Sequence, residues 1–269
     1  NLIAEGGVYW ADSASVIVNL QPFERLRFAL VDSLLSEIYS FDPNLVTGWD
    51  VGERSSIALG DWDGDGDLDV FIAHEQGLQV FENIGTARTF NLAPRTTQFA
   101  ALAGFVDAIP SAVLCLGDWD LDGREDLVVG GETGAAYLIR SSGHFGAVQP
   151  AGAAMQIETG STRALPALGD LNADARVDLM LVGGDGQVAL YEHSGASVSP
   201  YPTGTANALG VSVVSASSIG IADINGKGLL DVAVADTEGH LWEFHNQGAG
   251  SVFFKSKVLA GSGQGFACR

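Results

Sequence analysis

Leu59 to Asn83 reads LGDWDGDGDLDVFIAHEQGLQVFEN, and Leu116 to Arg140 reads LGDWDLDGREDLVVGGETGAAYLIR. The two stretches are one unit written twice. Two further copies follow: LGDLNADARVDLMLVGGDGQVALYEH from Leu168 to His193, and IADINGKGLLDVAVADTEGHLWEFH from Ile221 to His245. The leading acids Asp61, Asp118, Asp170 and Asp223 stand 57, 52 and 53 residues apart. A fixed period of this size is the mark of a repeat architecture.

Each unit reads alike. An apolar strand ends in Gly-Asp or Ala-Asp, and an Asp-rich loop follows. A second strand comes next: Val70 to Ala73, Leu127 to Val129, Leu179 to Val182 and Val232 to Val234. It is apolar on both faces, which suits a strand buried between neighbouring sheets. A turn of acid plus glycine closes a hairpin (Glu75 and Gly77, Glu132 and Gly134, Asp185 and Gly186, Asp236 and Gly239). A third strand carries the aromatics Phe81, Tyr137, Tyr191, Trp242 and Phe244. The Gly/Ser/Thr-rich remainder has room for a fourth. The fold class expected is all-β, a β-propeller of four-stranded antiparallel blades.

Four units are clear and a fifth is partial. Residues 1–50 read as a partial blade, with an irregular insertion near 23–41, and residues 51–269 as four blades, all in one propeller domain. Asn1 to Trp10 resembles the middle of a unit, and the last residues resemble Leu102 to Phe105, ahead of an Asp loop. Both ends look cut, so part of a larger propeller is preferred to a closed ring of five blades.

Composition narrows function. Of 269 residues, 33 are Asp or Glu and 13 are Lys or Arg, a net charge of −20. That charge disfavours nucleic acid and anionic membrane surfaces as partners. Only 17% of residues are charged and mean hydropathy is +0.20, so the chain is not a disordered acidic segment. No apolar run approaches the ~20 residues of a membrane-spanning helix. The two cysteines, Cys115 and Cys268, are too few for a disulfide framework, though one bridge between them stays open. Cys115 lies in an apolar strand and is expected to be a buried thiol.

The acids concentrate in the loops. Asp61, Asp63, Asp65, Asp67 and Asp69 form the first; Asp118, Asp120, Asp122, Arg124 and Asp126 the second; Asp170, Asn172, Asp174, Arg176 and Asp178 the third. All fit D-x-[DN]-x-D-[GA]-x-x-D. Oxygens on alternate residues wrap a hard cation, and a small residue at position 6 permits the sharp turn. The carbonyl of position 7 (Asp67, Arg124 or Arg176) and the last Asp complete the shell. Several oxygens in flexible geometry suit calcium better than magnesium, giving about three Ca2+ sites. An EF-hand would need Glu at position 12, where the first loop has Ile72. The fourth loop, Asp223 to Asp231, has Lys227 at position 5; its ammonium is expected beside Asp223 or Asp231, in place of an ion.

These loops and strands resemble FG-GAP/VCBS repeats, the blades of integrin-alpha-like propellers, clearly over residues 59–245. The resemblance implies calcium in the loops on one propeller rim, without implying a single function. The function expected is a non-catalytic, calcium-stabilised extracellular or cell-surface scaffold or binding module for protein or glycan. It would be secreted, and part of a larger surface assembly. A lectin with sugar between blades is the alternative, and a polysaccharide-active enzyme ranks behind it. The five histidines carry no metal or nucleophile spacing. Trp62 and Trp119 hold the same place in successive loops and are expected to pack between blades rather than to stack on sugar.

Overall fold

The computed structural model describes residues 55–75, 77–86, 89–141, 155–197, 199–206, 208–210, 212–213 and 215–248, together with the backbone of 8–11, 15–18 and 254–259. The chain divides into two units, Asn1–Asp50 and Val51–Arg269. In the first, β1 (Val8–Ala11) and β2 (Ser15–Val18) pair antiparallel. The expected insertion at 23–41, Cys268 and both chain ends lie outside the described residues.

The second unit is built from the repeats. β3 (Ser56–Gly60), β4 (Asp69–His74), β5 (Gly77–Asn83) and β6 (Leu92–Pro94) form the first antiparallel sheet in chain order. β7 (Val113–Gly117), β8 (Asp126–Gly130), β9 (Ala135–Ile139) and β10 (Met155–Glu158) form the second. β11 (Ala164–Gly169), β12 (Asp178–Gly183) and β13 (Val188–Tyr191) form the third. β14 (Ala216–Ala222), β15 (Asp231–Asp236), β16 (Leu241–Asn246) and β17 (Phe254–Leu259) form the fourth. The protein is all-β with propeller-type blades. One departure is the third blade, which has three strands among the described residues; an isolated bridge from Leu190 to Thr205 stands where a fourth would run.

Register fixes the loops. Gly60 pairs with Asp69, Gly117 with Asp126, Gly169 with Asp178 and Ala222 with Asp231. The residue before each loop thus faces the last acid of that loop. The second strands are buried on both faces, completely so in β8 and β12. Their side chains build three clusters. Trp62, Phe71, Phe99 and Leu127 belong to one; Trp119, Val128, Leu138 and Leu179 to another; Leu171, Met180, Val232 and Phe244 to the last. The second residue of each of the first three loops, Trp62, Trp119 and Leu171, therefore roots a cluster shared by its own blade and the next. Trp62 is 0% and Trp119 1% exposed, which makes them packing residues.

A helix, α1 (Ala100–Val106), follows the first blade and buries Leu102 and Val106. Leu102 to Phe105, the stretch ahead of the second Asp loop, lies within this helix. Phe99, just before it, meets Trp62 and Phe71 with ring centroids 5.8 and 5.7 Å away. A short run of apolar residues without alternation suits either element, and here burial against two rings decides.

The first strands β3, β7, β11 and β14 neighbour one another in that order. Glycine makes their close approach possible. A Cβ at Gly60 would lie 2.9 Å from Leu116 Cδ1, one at Gly117 3.0 Å from Leu168 Cδ1, and one at Gly169 2.8 Å from Ile221 Cγ2. The Leu (or Ile) of each blade thus sits in the gap left by the glycine of the blade before it.

Candidate metal centres

The loops fold around their first acid. In the first loop, Asp61 Oδ1 accepts the N–H of Gly64 (2.8 Å) and Asp65 (3.0 Å), and Oδ2 accepts that of Gly66 (3.0 Å). Asp118 accepts from Asp122 and Gly123, Asp170 from Asp174 and Ala175, and Asp223 from Lys227 and Gly228. Such tight loops need left-handed backbone at positions 4 and 6. Gly64 and Gly66 have φ of 79° and 94°, whereas Ala173 and Ala175 adopt 62° and 64° at the cost of steric strain.

The last acid of each loop is a buried pivot. Asp69 Oδ2 accepts from Trp62 N (3.0 Å) and Oδ1 from Asn83 N (2.8 Å). Asp178 holds Leu171 N and His193 N in the same way, and Asp231 holds Ile224 N and Asn246 N. In these three loops one carboxylate thus ties the loop entrance to the end of the third strand, whereas Asp126 in loop two holds the strand side alone, through Ser141 N at 2.7 Å. Burial pushes the Asp69 and Asp126 carboxyls up to about 7, and it raises Asp178 as well.

Three candidate ligands converge in each of the first two loops: Asp61, Asp63 and Asp65, then Asp118, Asp120 and Asp126, every set with one ligand atom apiece within 4.8 Å of the others. Burial first, and neighbouring acids second, raise Asp63, Asp67 and Asp120. Asp63 Oδ1, Asp67 Oδ1 and Asp126 Oδ2 are buried and have no hydrogen-bond partner among the described residues. A buried carboxylate oxygen without a donor is costly. One divalent cation in each loop is the simplest group to satisfy them, so the residues of loops one and two fit calcium. In the third loop, Asp170, Asn172, Asp174 and Asp178 follow the same hydrogen-bond pattern, with Asn172 Oδ1 accepting from Asp174 N at 3.1 Å.

The fourth loop corrects the expectation for Lys227. That side chain is exposed, and among the described residues it makes no ion pair with Asp223 or Asp231; only its backbone N–H reaches Asp223 Oδ1, at 3.0 Å. Asn225 Nδ2 instead donates to Asp231 Oδ2 at 2.6 Å, with His245 Nδ1 3.5 Å from that oxygen. An amide, not an ammonium, occupies the heart of this loop.

The structure also reveals a link between blades that no sequence motif announces. In the second, third and fourth blades, a residue at or just past the end of the third strand donates its side chain to the carbonyl of the second loop residue in the preceding blade. Ser141 Oγ reaches Trp62 O (3.4 Å), His193 Nε2 reaches Trp119 O (3.0 Å) and Asn246 Nδ2 reaches Leu171 O (2.7 Å). His193 Nδ1 accepts from Gly195 N at 2.9 Å, so Nε2 carries the hydrogen.

A second concave feature, of about 790 Å³, runs along the first strands and is lined by Ser56, Cys115, Glu132, Arg163 and Ser218 among others. Cys115 is a free, half-buried thiol, and burial pushes it up to about 12, away from the thiolate form.

A family model described as an FG-GAP-like repeat matches residues 61–129 and 118–181. No curated protein matches the sequence. Among solved structures, one of an Agrocybe aegerita lectin, which concerns recognition of non-reducing terminal N-acetylglucosamine, aligns with a TM-score of 0.51 and 22% identity over 79% of this chain. This chain spans 54% of that lectin chain, about half its length. A Photorhabdus luminescens Tc holotoxin pore aligns at a TM-score of 0.40 and 12% identity, covering 72% of this chain and 10% of that one. The lectin match supports the propeller-type fold.

Proposed function

We propose that this FG-GAP repeat protein is a non-catalytic binding module whose blades are stabilised by calcium, working outside the cell as a scaffold for a protein or glycan partner. The observation that carries the calcium reading is Asp126. It is fully buried, one of its oxygens lacks a partner among the described residues, and Asp118 and Asp120 converge on it. Millimolar extracellular calcium would fill even weak loops, which favours that compartment. Among the described residues no helix is long and apolar enough to cross a membrane.

Glycan is the ligand class to test first, because the structurally similar lectin recognises a terminal sugar. Trp62 and Trp119 are removed as stacking platforms by their burial. A concave surface open to a ligand runs along the first strands, where hydroxyls stand beside Glu132 and Arg163. We assign no catalytic role to the loop acids, since their oxygens hold the loops together.

Thermal melting tests the calcium reading. EDTA should lower Tm, and calcium should restore it better than magnesium. At 100 times its Kd, calcium adds about 2.7 kcal/mol per independent site. Asp63→Ala should remove part of that gain and Asn225→Ala should leave it intact. A Tm indifferent to EDTA, in protein shown to be metal-free, would overturn the reading. A glycan array including N-acetylglucosamine-terminated chains tests the ligand class, and turnover of an acidic polysaccharide would contradict the non-catalytic assignment.

A further inference from the structure

The three calcium-type loops differ in the cations the chain itself supplies. The first contains no basic residue, and Arg95 nearby is engaged by Glu82. In the second, Arg124 pairs with Asp122, and Arg140 Nε lies 3.1 Å from Asp120 Oδ2 with its guanidinium 5.5 Å above the Trp119 ring. Arg140 also donates to the Ser197 carbonyl, so it is held from three sides. In the third, Arg176 pairs with Asp174, and its Nε donates to the His193 carbonyl at 3.3 Å. The partners Asp120, Asp122 and Asp174 are themselves candidate ligands at positions 3 and 5.

We propose that Arg124, Arg140 and Arg176 are resident counter-ions that set the order in which the loops take calcium, the first loop filling before the second and third. This inference rests on the calcium reading above. Its physical basis is that a guanidinium already neutralises the carboxylate the ion needs, so the arginine must withdraw or share that oxygen before it can ligate. Among the described residues loop one leaves Asp63 Oδ1 and Asp67 Oδ1 without a partner, loop two Glu125 Oε2 and Asp126 Oδ2, and loop three none. The carboxylates that the arginines hold, Asp120, Asp122 and Asp174, are not among them. The same pairs hold loops two and three together without metal. Loop one, with Asp67 at position 7 where the others have arginine, depends on the ion most.

Calorimetric titration of calcium into the whole, metal-stripped chain tests this, with Asp63→Asn used to assign the tight event to loop one. Arg124→Gln should tighten a weaker event about three- to tenfold, the effect of removing one unit charge at the edge of a partly solvated site. Arg176→Gln should tighten another. Arg124→Lys, which keeps the charge and loses the planar fork, should fall between wild type and Arg124→Gln. In EDTA both Gln variants should melt below wild type, and calcium should narrow the gap. A residue that merely shapes the loop would lower Tm with and without calcium alike and would not tighten binding. Calcium uptake with Gln-variant Kd values within twofold of wild type overturns the counter-ion inference and leaves the calcium reading standing. No calcium uptake by the wild-type chain overturns both.

Discussion

Two residues show how local chemistry sets the stability of these blades. Ala175 occupies position 6 of its loop with φ of 64°, where the other three loops have Gly66, Gly123 and Gly228. Left-handed backbone strains alanine and not glycine, so Ala175→Gly should raise stability by about 0.5–1 kcal/mol, read as a higher Tm. Asp236, in the turn of the fourth blade, is the second case. Burial would push its carboxyl up, but hydrogen bonds from Trp242 Nε1, from His240 and from the Glu238 N–H outweigh that and hold it at about 2. A depressed pKa stabilises the fold above the unfolded value of 3.8, and that contribution is lost as pH falls through about 2. Asp236→Asn should therefore melt below wild type at pH 7, since its amide would set a donor against Trp242 Nε1. Melts from pH 4 down to pH 2 should show the gap closing; a gap constant with pH would contradict the assignment.

At the scale of the element, the unit that matters is a loop plus the end of its third strand. The last loop acid binds the backbone N–H of Asn83, Ser141, His193 or Asn246. In the last three, the side chain then grips the preceding blade. One position thereby joins its own hairpin to its neighbour. His193→Ala leaves the buried Trp119 carbonyl without this donor and should cost about 1–3 kcal/mol. His193→Asn, which copies Asn246, should recover part of the loss. Urea unfolding of the three proteins measures it, and equal stability of wild type and His193→Ala would remove the link from the account. The sequence concealed this position because serine, histidine and asparagine share no visible motif; they share only a donor placed by strand register.

Across the whole described array, blades are joined by apolar clusters and by glycines that admit the next blade. Gly169→Ala would set a Cβ 2.8 Å from Ile221 Cγ2 and 3.1 Å from Leu230 Cδ1. Both neighbours belong to the next blade, so the junction must open, at about 1–3 kcal/mol. Gly104→Ala is the control. It lies in α1 with nothing within 4 Å of the added methyl, and should stabilise by about 0.5–1 kcal/mol through helix propensity. Thermal melts moving in opposite directions for the two substitutions would separate close approach between blades from a general effect of replacing glycine. Leu59 and Leu68 are 55% exposed each on the first blade. Their equivalents, Leu116 with Glu125 and Leu168 with Val177, sit over the glycine of a preceding blade.

The sequence by itself determined the repeat, its period, the antiparallel strands and the positions of the loop acids. These are local: alternate oxygens and a small residue at position 6 are needed wherever the loop stands, so each copy preserves them. The shared place of Trp62 and Trp119 in successive units favoured packing over sugar stacking, and the structure buries both rings. Only the tertiary structure decided which acids are pivots and which converge, since Asp69 and Asp61 are the same residue type in one loop and differ in what the next strand brings to them. It also decided that Asn225, rather than Lys227, satisfies Asp231: an ammonium on a long, exposed stem keeps its hydration, whereas a short amide lies within hydrogen-bond reach. The bridge from Leu190 to Thr205 beside the third blade, the helix at Ala100–Val106 and the arginines paired with loop acids belong to the same class. Each depends on what stands opposite in space, and a sequence read along one chain does not contain that neighbour.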